Sequence, residues 1–420
     1  MSTDQTDFER QGPGQAAPLP PLPVPRNPRY LTLDTWRGLA CLMVVVFHAT
    51  HHIDKATVPG GSIAKVILAV TDRLSMGVTM FFVISGYCIA ATSDASRRKP
   101  RAPWRYFTRR FRRIFPPYWA VVLISIVVVV AFTAVGQADL VTGDYAPIPD
   151  PASLSWSQWV GNLTLTETWR PHLFGGPERK IVSPSWTLCY EEQFYAVCGL
   201  LLIVAPRGFF AGTAVVTVAT IAVAFLAHFN GWATSITGFF FDGGWLPFAL
   251  GIAVYYVLNY AKSRRPGVIL ISLLFASCAA IRWKVPAVAA DEALRNQFQS
   301  YVVMSAFALG LILLHPWDRQ FAGSRLLRPV RGCGQMCYSL YLVHCPITVV
   351  MTAAFERAGV RDYWPRLLIT APSTITASIA ASWLFYLAVE RRFLNAPNVP
   401  VGRPIDATPA SAKLAGDVTA

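Results

Sequence analysis

Long apolar runs alternate along this chain with short polar connections, many of them basic. The runs lie near 31–50, 75–93, 114–135, 184–204, 209–228, 240–259, 267–284, 298–315, 333–354 and 367–389. Each is close to the roughly 20 residues that a helix needs to cross a bilayer. The pattern predicts an all-α fold, a polytopic membrane bundle of about ten transmembrane helices. No internal repeat is visible.

The ends read differently. Residues 1–30, with "PLPPLPVPRNP", form a Pro-rich stretch expected to be a disordered cytoplasmic tail. A cleavable signal pattern is missing there. Residues 396–420, with "ATPASAKLAGDVTA", read as a second disordered tail. Residues 31–395 are then one membrane domain with no fused soluble catalytic domain, so any chemistry occurs in or beside the bilayer.

Charge sets the expected orientation. The stretch "RRKPRAPWRYFTRRFRR" after the second run holds nine Lys and Arg residues. The connections 260–266 and 317–332 are also basic, whereas 136–183 is acidic to neutral. The positive-inside rule then puts both termini in the cytoplasm and 136–183 outside, as for a multi-pass protein of a bacterial inner membrane.

Composition agrees. Only 14% of residues are charged and 54% are hydrophobic, with mean hydropathy +0.41. Soluble domains carry about 25% charged residues. The net charge of +14 could suggest a nucleic-acid partner, but the charges sit between apolar segments, so no nucleic acid is expected. Eight cysteines occur, nearly all in or at the ends of apolar runs, which argues against a disulfide framework. Cys333 and Cys337 have i, i+4 spacing but lack further metal ligands.

Four stretches carry candidate chemistry. In "LDTWRGLACLMVVVFHAT", Arg37 and His48 are eleven residues apart, close to three turns, so they share a face roughly 16 Å apart along the axis. A charged residue at the centre of a span costs about 2.5–3.5 kcal/mol to insert, which makes His48 a functional candidate. A neutral structural histidine is the alternative. His48 and His52 have metal spacing, but no partner ligands are evident and no metal is expected.

In "SPSWTLCYEEQFY", Glu191 and Glu192 point about 100° apart, so at most one faces a given site. Glu191 shares a face with Thr187, Phe194 and Tyr195. A structural carboxylate bonded to a buried Tyr or Arg is the alternative. In "CGQMCYSLYLVHCPI", Cys337, Tyr341 and His344 share a face, with His344 about 18 Å from the cytoplasmic end. His48, Glu191 and His344 therefore lie at similar depth. A histidine there can take a proton from a hydroxyl while a carboxylate orients it. In "RRFRRIFPPYW", an Arg-x-x-Arg pair suits phosphate through bidentate guanidinium contacts, although such connections are basic anyway. Trp156, Trp159 and Trp169 in the long connection could stack on sugar or sit at the membrane interface.

Taken in order, these motifs resemble the acyltransferase-3 family of bacterial polytopic membrane acyltransferases. The resemblance rests on Arg37 and His48, on Arg110 and Arg113 followed by Ile114 and Pro116, on "WTLCYEEQFY" with Glu191, and on "YLVH" ending at His344. "GVTMFFVISGY" and "FYLAVERRF" match in kind, and the likeness covers residues 31 to about 394. The family often has Ser where Cys337 stands and an acid where Thr79 stands.

The family implies an acyltransferase for groups other than amino-acyl. An acyl group, commonly acetyl, moves from cytoplasmic acyl-CoA to a hydroxyl of a cell-envelope glycan or similar acceptor at the outer face. Arg37, Arg110 and Arg113 would hold the donor. His48 would be general base or a transient acyl carrier, with Glu191 orienting or charge-stabilising it. Tyr341 and His344 would belong to the acceptor site. Acyl-CoA is a donor substrate here, with no tightly bound cofactor. The other reading is a proton-coupled transporter or glycolipid flippase relaying protons through His48, Glu191 and His344. Such proteins often show inverted repeats and broken spans, which this sequence lacks.

The orientation is testable by thiol labelling of a Gly143→Cys variant in intact cells. The charge asymmetry predicts that an impermeant reagent labels it from outside, and labelling only after membrane disruption contradicts this.

Overall fold

The structure is a computed structural model that describes residues 22–26, 29–98, 102–142 and 148–394. Among the described residues there are helices and connections and no strand. Each of the ten apolar runs contains a helix. They are α1 (Leu33–His51), α2 (Gly77–Ser96), α3 (Ala102–Ala134), α4 (Ser185–Val204), α5 (Phe209–Phe229), α6 (Trp245–Asn259), α7 (Arg265–Lys284), α8 (Glu292–Leu314), α9 (Cys337–Arg357) and α10 (Ala371–Phe385).

Eight helical stretches are long and apolar enough on their own to cross a membrane. Two of the ten expected spans fall short of that. The apolar character of α1 is diluted by Asp34, Arg37, His48 and His51, and α6 has only 15 residues, about 22 Å of helix. The chain is a polytopic helical membrane protein. The tail expected at 396–420 lies outside the described residues, as does most of 1–30. Residues 22–26 have no regular structure, and Arg98 donates to the carbonyls of Leu22 and Pro23 there.

Three boundaries differ from the sequence reading. The basic run expected as a connection is helical from Ala102, so Arg110 and Arg113 sit on the first turns of the 33-residue α3. Arginine is a good helix former, and its charge alone does not stop a helix. The run 333–354 is broken at Met336, where the short helix Arg328–Gln335 ends and α9 begins. Cys333 and Cys337 therefore sit on different helices. The last run forms one element, Tyr363–Phe393, with π-helical turns at Arg366–Thr370 and Tyr386–Glu390 on either side of α10.

The connection 148–184 is folded. Ser155 and Gln158 form a capping box at the start of the helix Trp156–Thr164. The Arg170 Nε donates to Glu167 at 2.7 Å with both residues buried. Trp169 stacks on Phe239 with ring centroids 6.0 Å apart, whereas Trp156 is exposed.

Close backbone contact joins two pairs of helices. A Cβ on Gly86 of α2 would lie 1.9 Å from the Phe248 carbonyl oxygen of α6, and one on Gly251 of α6 would lie 1.9 Å from the Val83 oxygen of α2. At one end of the same pair, buried Asp94 accepts from the Tyr255 hydroxyl at 2.9 Å and the Tyr260 hydroxyl at 2.5 Å. Gly38 of α1 and Gly334 of the helix Arg328–Gln335 face each other in the same reciprocal way. Small residues at such contacts let membrane helices approach closely. The start of α1 is held by Asp318, which accepts from the Leu31 and Thr32 N–H groups at 2.7 and 2.9 Å.

Gly86→Ala should therefore lower the thermal midpoint in detergent, by an amount equivalent to about 1–3 kcal/mol. Gly310→Ala on α8, where an added Cβ meets nothing within 4 Å, should be neutral. Equal midpoints for the Gly86 variant and the unmodified protein would contradict the packing.

Candidate functional site

Five helices bring side chains to a narrow cavity of about 100 Å³. Its lining includes Arg37 from α1, Cys88 from α2, Arg110 and Arg113 from α3, Glu191 and Tyr195 from α4, and Cys337, Tyr338 and Tyr341 from α9. Helical spacing explains the grouping. Arg110 and Arg113 are i, i+3, while Glu191 with Tyr195 and Cys337 with Tyr341 are i, i+4.

The guanidinium groups of Arg37 and Arg110 have hydrogen-bond partners, and those of Arg37 include a carboxylate. The Arg37 Nη1 donates to Asp34 Oδ1 at 2.9 Å and its Nη2 to the Cys88 sulfur at 2.8 Å. The Arg110 Nη2 donates to the Thr92 hydroxyl at 3.2 Å, and its guanidinium lies 5.0 Å from the Tyr195 ring centroid. Three arginines and the single carboxylate of Glu191 line this cavity, with Asp34 paired to Arg37 beside it. Glu191 Oε2 accepts from the Tyr195 hydroxyl at 2.9 Å.

A second, larger cavity of about 560 Å³ lies beyond. It gathers the last turns of α1 and the first turns of α2, α4, α6 and α8. His48, Thr79, Trp186, Asp242, Gln297 and Ser300 are among its lining. Its polar groups are braced against one another. Thr79 and Ser300 share a hydrogen bond of 2.7 Å, and Gln297 donates to the Tyr301 hydroxyl at 2.8 Å. Asp242 accepts from the Gly244 N–H at 2.8 Å, the Gly238 N–H at 3.0 Å and the Tyr190 hydroxyl. Position 79 thus carries a threonine, and the carboxylate of this cavity is Asp242. No Lys or Arg lines it.

Four residues line both cavities: Val78, Phe82, Thr187 and Tyr341. The hydroxyls of Tyr341 and Thr187 meet, and the Tyr341 hydroxyl also donates to the Pro184 carbonyl. Behind this wall lies a cluster in which His344 and Cys345 are buried and His48 is partly buried. The rings of His48 and His344 are 5.1 Å apart, and that of Tyr341 is 6.2 Å from His344. His344 Nδ1 lies 2.9 Å from the Leu340 carbonyl oxygen, and its Nε2 lies 3.4 Å from the Cys345 sulfur. The donor atoms of His48, His344 and Cys345 all fall within 4.8 Å of one another. Two imidazoles and a thiol suit a soft cation, but three donors are one fewer than a closed structural zinc site takes.

The seven residues singled out in the sequence therefore fall into two groups. Arg37, Arg110, Arg113 and Glu191 line the narrow cavity, His48 lines the large one, Tyr341 lines both, and His344 packs behind Tyr341. Glu191 lines the cavity of the arginines and accepts from Tyr195, while His48 lines the large cavity.

Two contributors escaped the sequence reading. Cys345 follows His344 directly, and neighbours in a helix do not face one way, so spacing gave no reason to group them. Glu390 is buried, and its Oε2 accepts from the Ser339 N–H at 2.9 Å and the Ser339 hydroxyl at 2.5 Å. It thereby caps the first turn of α9 and sets Cys337 and Tyr341 in place. Its signal was an acid inside the apolar "FYLAVERRF".

The chain is a polytopic helical membrane protein whose interior holds an arginine-lined cavity and, next to it, a larger cavity lined by His48. A family model described as an acyltransferase domain, that of the acyltransferase-3 family, matches residues 30–386, and the chain belongs to this family. The acyltransferase MdmB of Streptomyces mycarofaciens is 25% identical over 278 residues, covering 62% of this chain and 66% of that one. The O-acetyltransferase OatA of Staphylococcus aureus is 23% identical over 352 residues, covering 80% of this chain and 54% of that one. The chain thus spans about two thirds of one relative and about half of the other. No solved structure matches it.

Glu390→Ala should leave the Ser339 N–H and hydroxyl without their acceptor, a loss of about 1–3 kcal/mol for a buried group. Thermal unfolding in detergent checks this. The Ala variant should melt well below the unmodified protein, and Ser339→Ala should cost less, because it removes a donor together with its need. An unchanged midpoint for Glu390→Ala would show that the cap is dispensable.

Proposed function

We propose that this protein is a membrane O-acyltransferase that takes an acyl group, most simply acetyl, from cytoplasmic acyl-CoA and delivers it to a hydroxyl of a cell-envelope glycan or similar acceptor. It would act in the bacterial inner membrane with both termini cytoplasmic. The observation that carries this reading is the sorting of charge across the Tyr341 wall. Three arginines stand on one side, and His48 with an arginine-free cavity stands on the other.

Arg37, Arg110 and Arg113 hold the phosphates of the donor, because planar guanidinium groups bind phosphate oxygens in pairs. The narrow apolar lining around Val78, Phe81 and Phe82 suits a thin pantetheine arm and a short acyl group. Glu191 positions Tyr195, whose ring packs against Arg110. The large cavity falls within the range of about 300–1,000 Å³ usual for small-molecule sites and takes the acceptor. His48 removes the acceptor's hydroxyl proton as general base, and the oxygen takes the acyl group that CoA gives up in leaving as the thiol. Tyr341 and His344 border the acceptor. The name of the Staphylococcus relative, an O-acetyltransferase, agrees with an ester product. The proton relay of a transporter lacks continuity here, since Glu191 lies apart from the two histidines.

The test separates donor binding from transfer, using radiolabelled acetyl-CoA and the carbohydrate fraction of membranes that carry the protein. His48→Ala should lower label transfer about 10²–10⁴-fold while acetyl-CoA binding stays within about twofold. The double Arg110→Ala, Arg113→Ala variant should lose acetyl-CoA affinity more than about tenfold, and Lys at both positions should rescue it poorly. A fully active His48→Ala protein would overturn the reading, as would unchanged affinity in the double variant.

A further inference from the structure

A donor thioester held by the arginines and an acceptor hydroxyl in the large cavity stand on opposite sides of Tyr341 and Thr187. Direct transfer would need the reacting atoms about 3–3.5 Å apart in one space. Behind Tyr341, which lines both cavities, lies a buried thiol with a base beside it. Cys345 is buried, and its sulfur is 3.4 Å from His344 Nε2, within reach of an S–H···N hydrogen bond. His344 is oriented in turn by the Leu340 carbonyl, 2.9 Å from its Nδ1. Nδ1 then carries the proton and Nε2 presents its lone pair to the thiol. Nucleophile, base and orienting group therefore stand in the order that covalent catalysis uses. His48, which lines the acceptor cavity, has a donor atom within 4.8 Å of both His344 and Cys345.

We propose that Cys345 is a transient acyl carrier that divides the transfer into two exchanges, one facing each cavity. The proposal rests on the acyltransferase reading above. In the first exchange His344 Nε2 takes the Cys345 proton, and the sulfur attacks the carbonyl carbon of acyl-CoA. The bond from that carbon to the CoA sulfur breaks, and CoA leaves as a thiol with the proton from His344. Tyr341 must swing aside for the acyl group to pass, since its ring stands one turn before His344 on α9.

In the second exchange His48 takes the acceptor's hydroxyl proton, and the oxygen attacks the Cys345 thioester. The carbon–sulfur bond breaks, the ester forms, and Cys345 recovers a proton from His48. Nothing is oxidised or reduced, and the thiol is regenerated. Burial of the cluster keeps water from the thioester. His344 is fully buried, which suits a base that serves a neighbouring thiol and no bulk solvent.

The experiment incubates the full chain in detergent with acetyl-CoA and no acceptor, then maps acetylation by peptide mass spectrometry with and without neutral hydroxylamine. One hydroxylamine-labile acetyl group on Cys345 is expected. It should be absent from Cys345→Ala, and when membrane carbohydrate acceptor is then added it should be discharged from the unmodified protein but persist in His48→Ala, which lacks the base for the second exchange. Label transfer to membrane carbohydrate should fall at least about 100-fold in Cys345→Ala. Cys345→Ser, which conserves size, should carry a hydroxylamine-resistant acetyl ester instead.

An unacetylated Cys345 in both the unmodified protein and His48→Ala, under conditions where transfer proceeds, would overturn the carrier. So would Cys345→Ala that transfers at full rate in a His48-dependent way, and that result would leave the acyltransferase reading standing. Stoichiometric zinc in the purified protein that is lost on Cys345→Ala would also overturn it, because Cys345 would then serve as a metal ligand and not as a free thiol with His344 as its base.

Discussion

The Tyr341 hydroxyl, set against the Thr187 hydroxyl and the Pro184 carbonyl, ties α9 to α4 and divides the interior in two. The rest of the site follows from that join. Arg37, Arg110 and Arg113 line the narrow cavity on one side of it, and His48 lines the large cavity on the other. In a low-dielectric interior, separating charge this way is worth far more than it would be in water. The wall is held from below by Glu390, which fixes the first turn of α9, and the α2 side of the wall is held by the close approach of α2 to α6.

Much of the fold was legible because membrane helices announce themselves by length and hydropathy. All ten apolar runs hold helices, and the two that fall short on their own do so for opposite reasons. In α1, Arg37 and His48 lower the hydropathy, and they are the residues that give the helix its candidate function. In α6, shortness is matched by tight contact with α2 through Gly86 and Gly251. The start of α3 was misread as a connection because nine cations look like a solvated loop, yet nothing in arginine chemistry forbids a helix.

The site was legible in part. Spacing along one helix told which residues share a face, and it correctly grouped Arg110 with Arg113 and Tyr341 with His344. It could not tell which neighbouring helix each face meets. Glu191 shows the limit: its face held Tyr195 as expected, but spacing could not say that it would share a cavity with the arginine group. Cys345 shows another limit, since its role depends on a ring nitrogen of the preceding residue turning back towards it. The two departures from the family pattern also become readable. Thr79 bonds Ser300 in a cavity whose carboxylate is Asp242, and Cys337 lines the cavity with the arginines.

The central claim is that donor and acceptor occupy opposite sides of the Tyr341 wall. Sealed inside-out membrane vesicles carrying the protein test it most directly. Radiolabelled acetyl-CoA, which does not cross the bilayer, is supplied outside, and the sides on which free CoA and the acetyl label appear are measured separately. The account predicts that CoA stays outside while the label becomes protected in the lumen on carbohydrate. Label and CoA recovered together on the outer side, with none in the lumen, would contradict it.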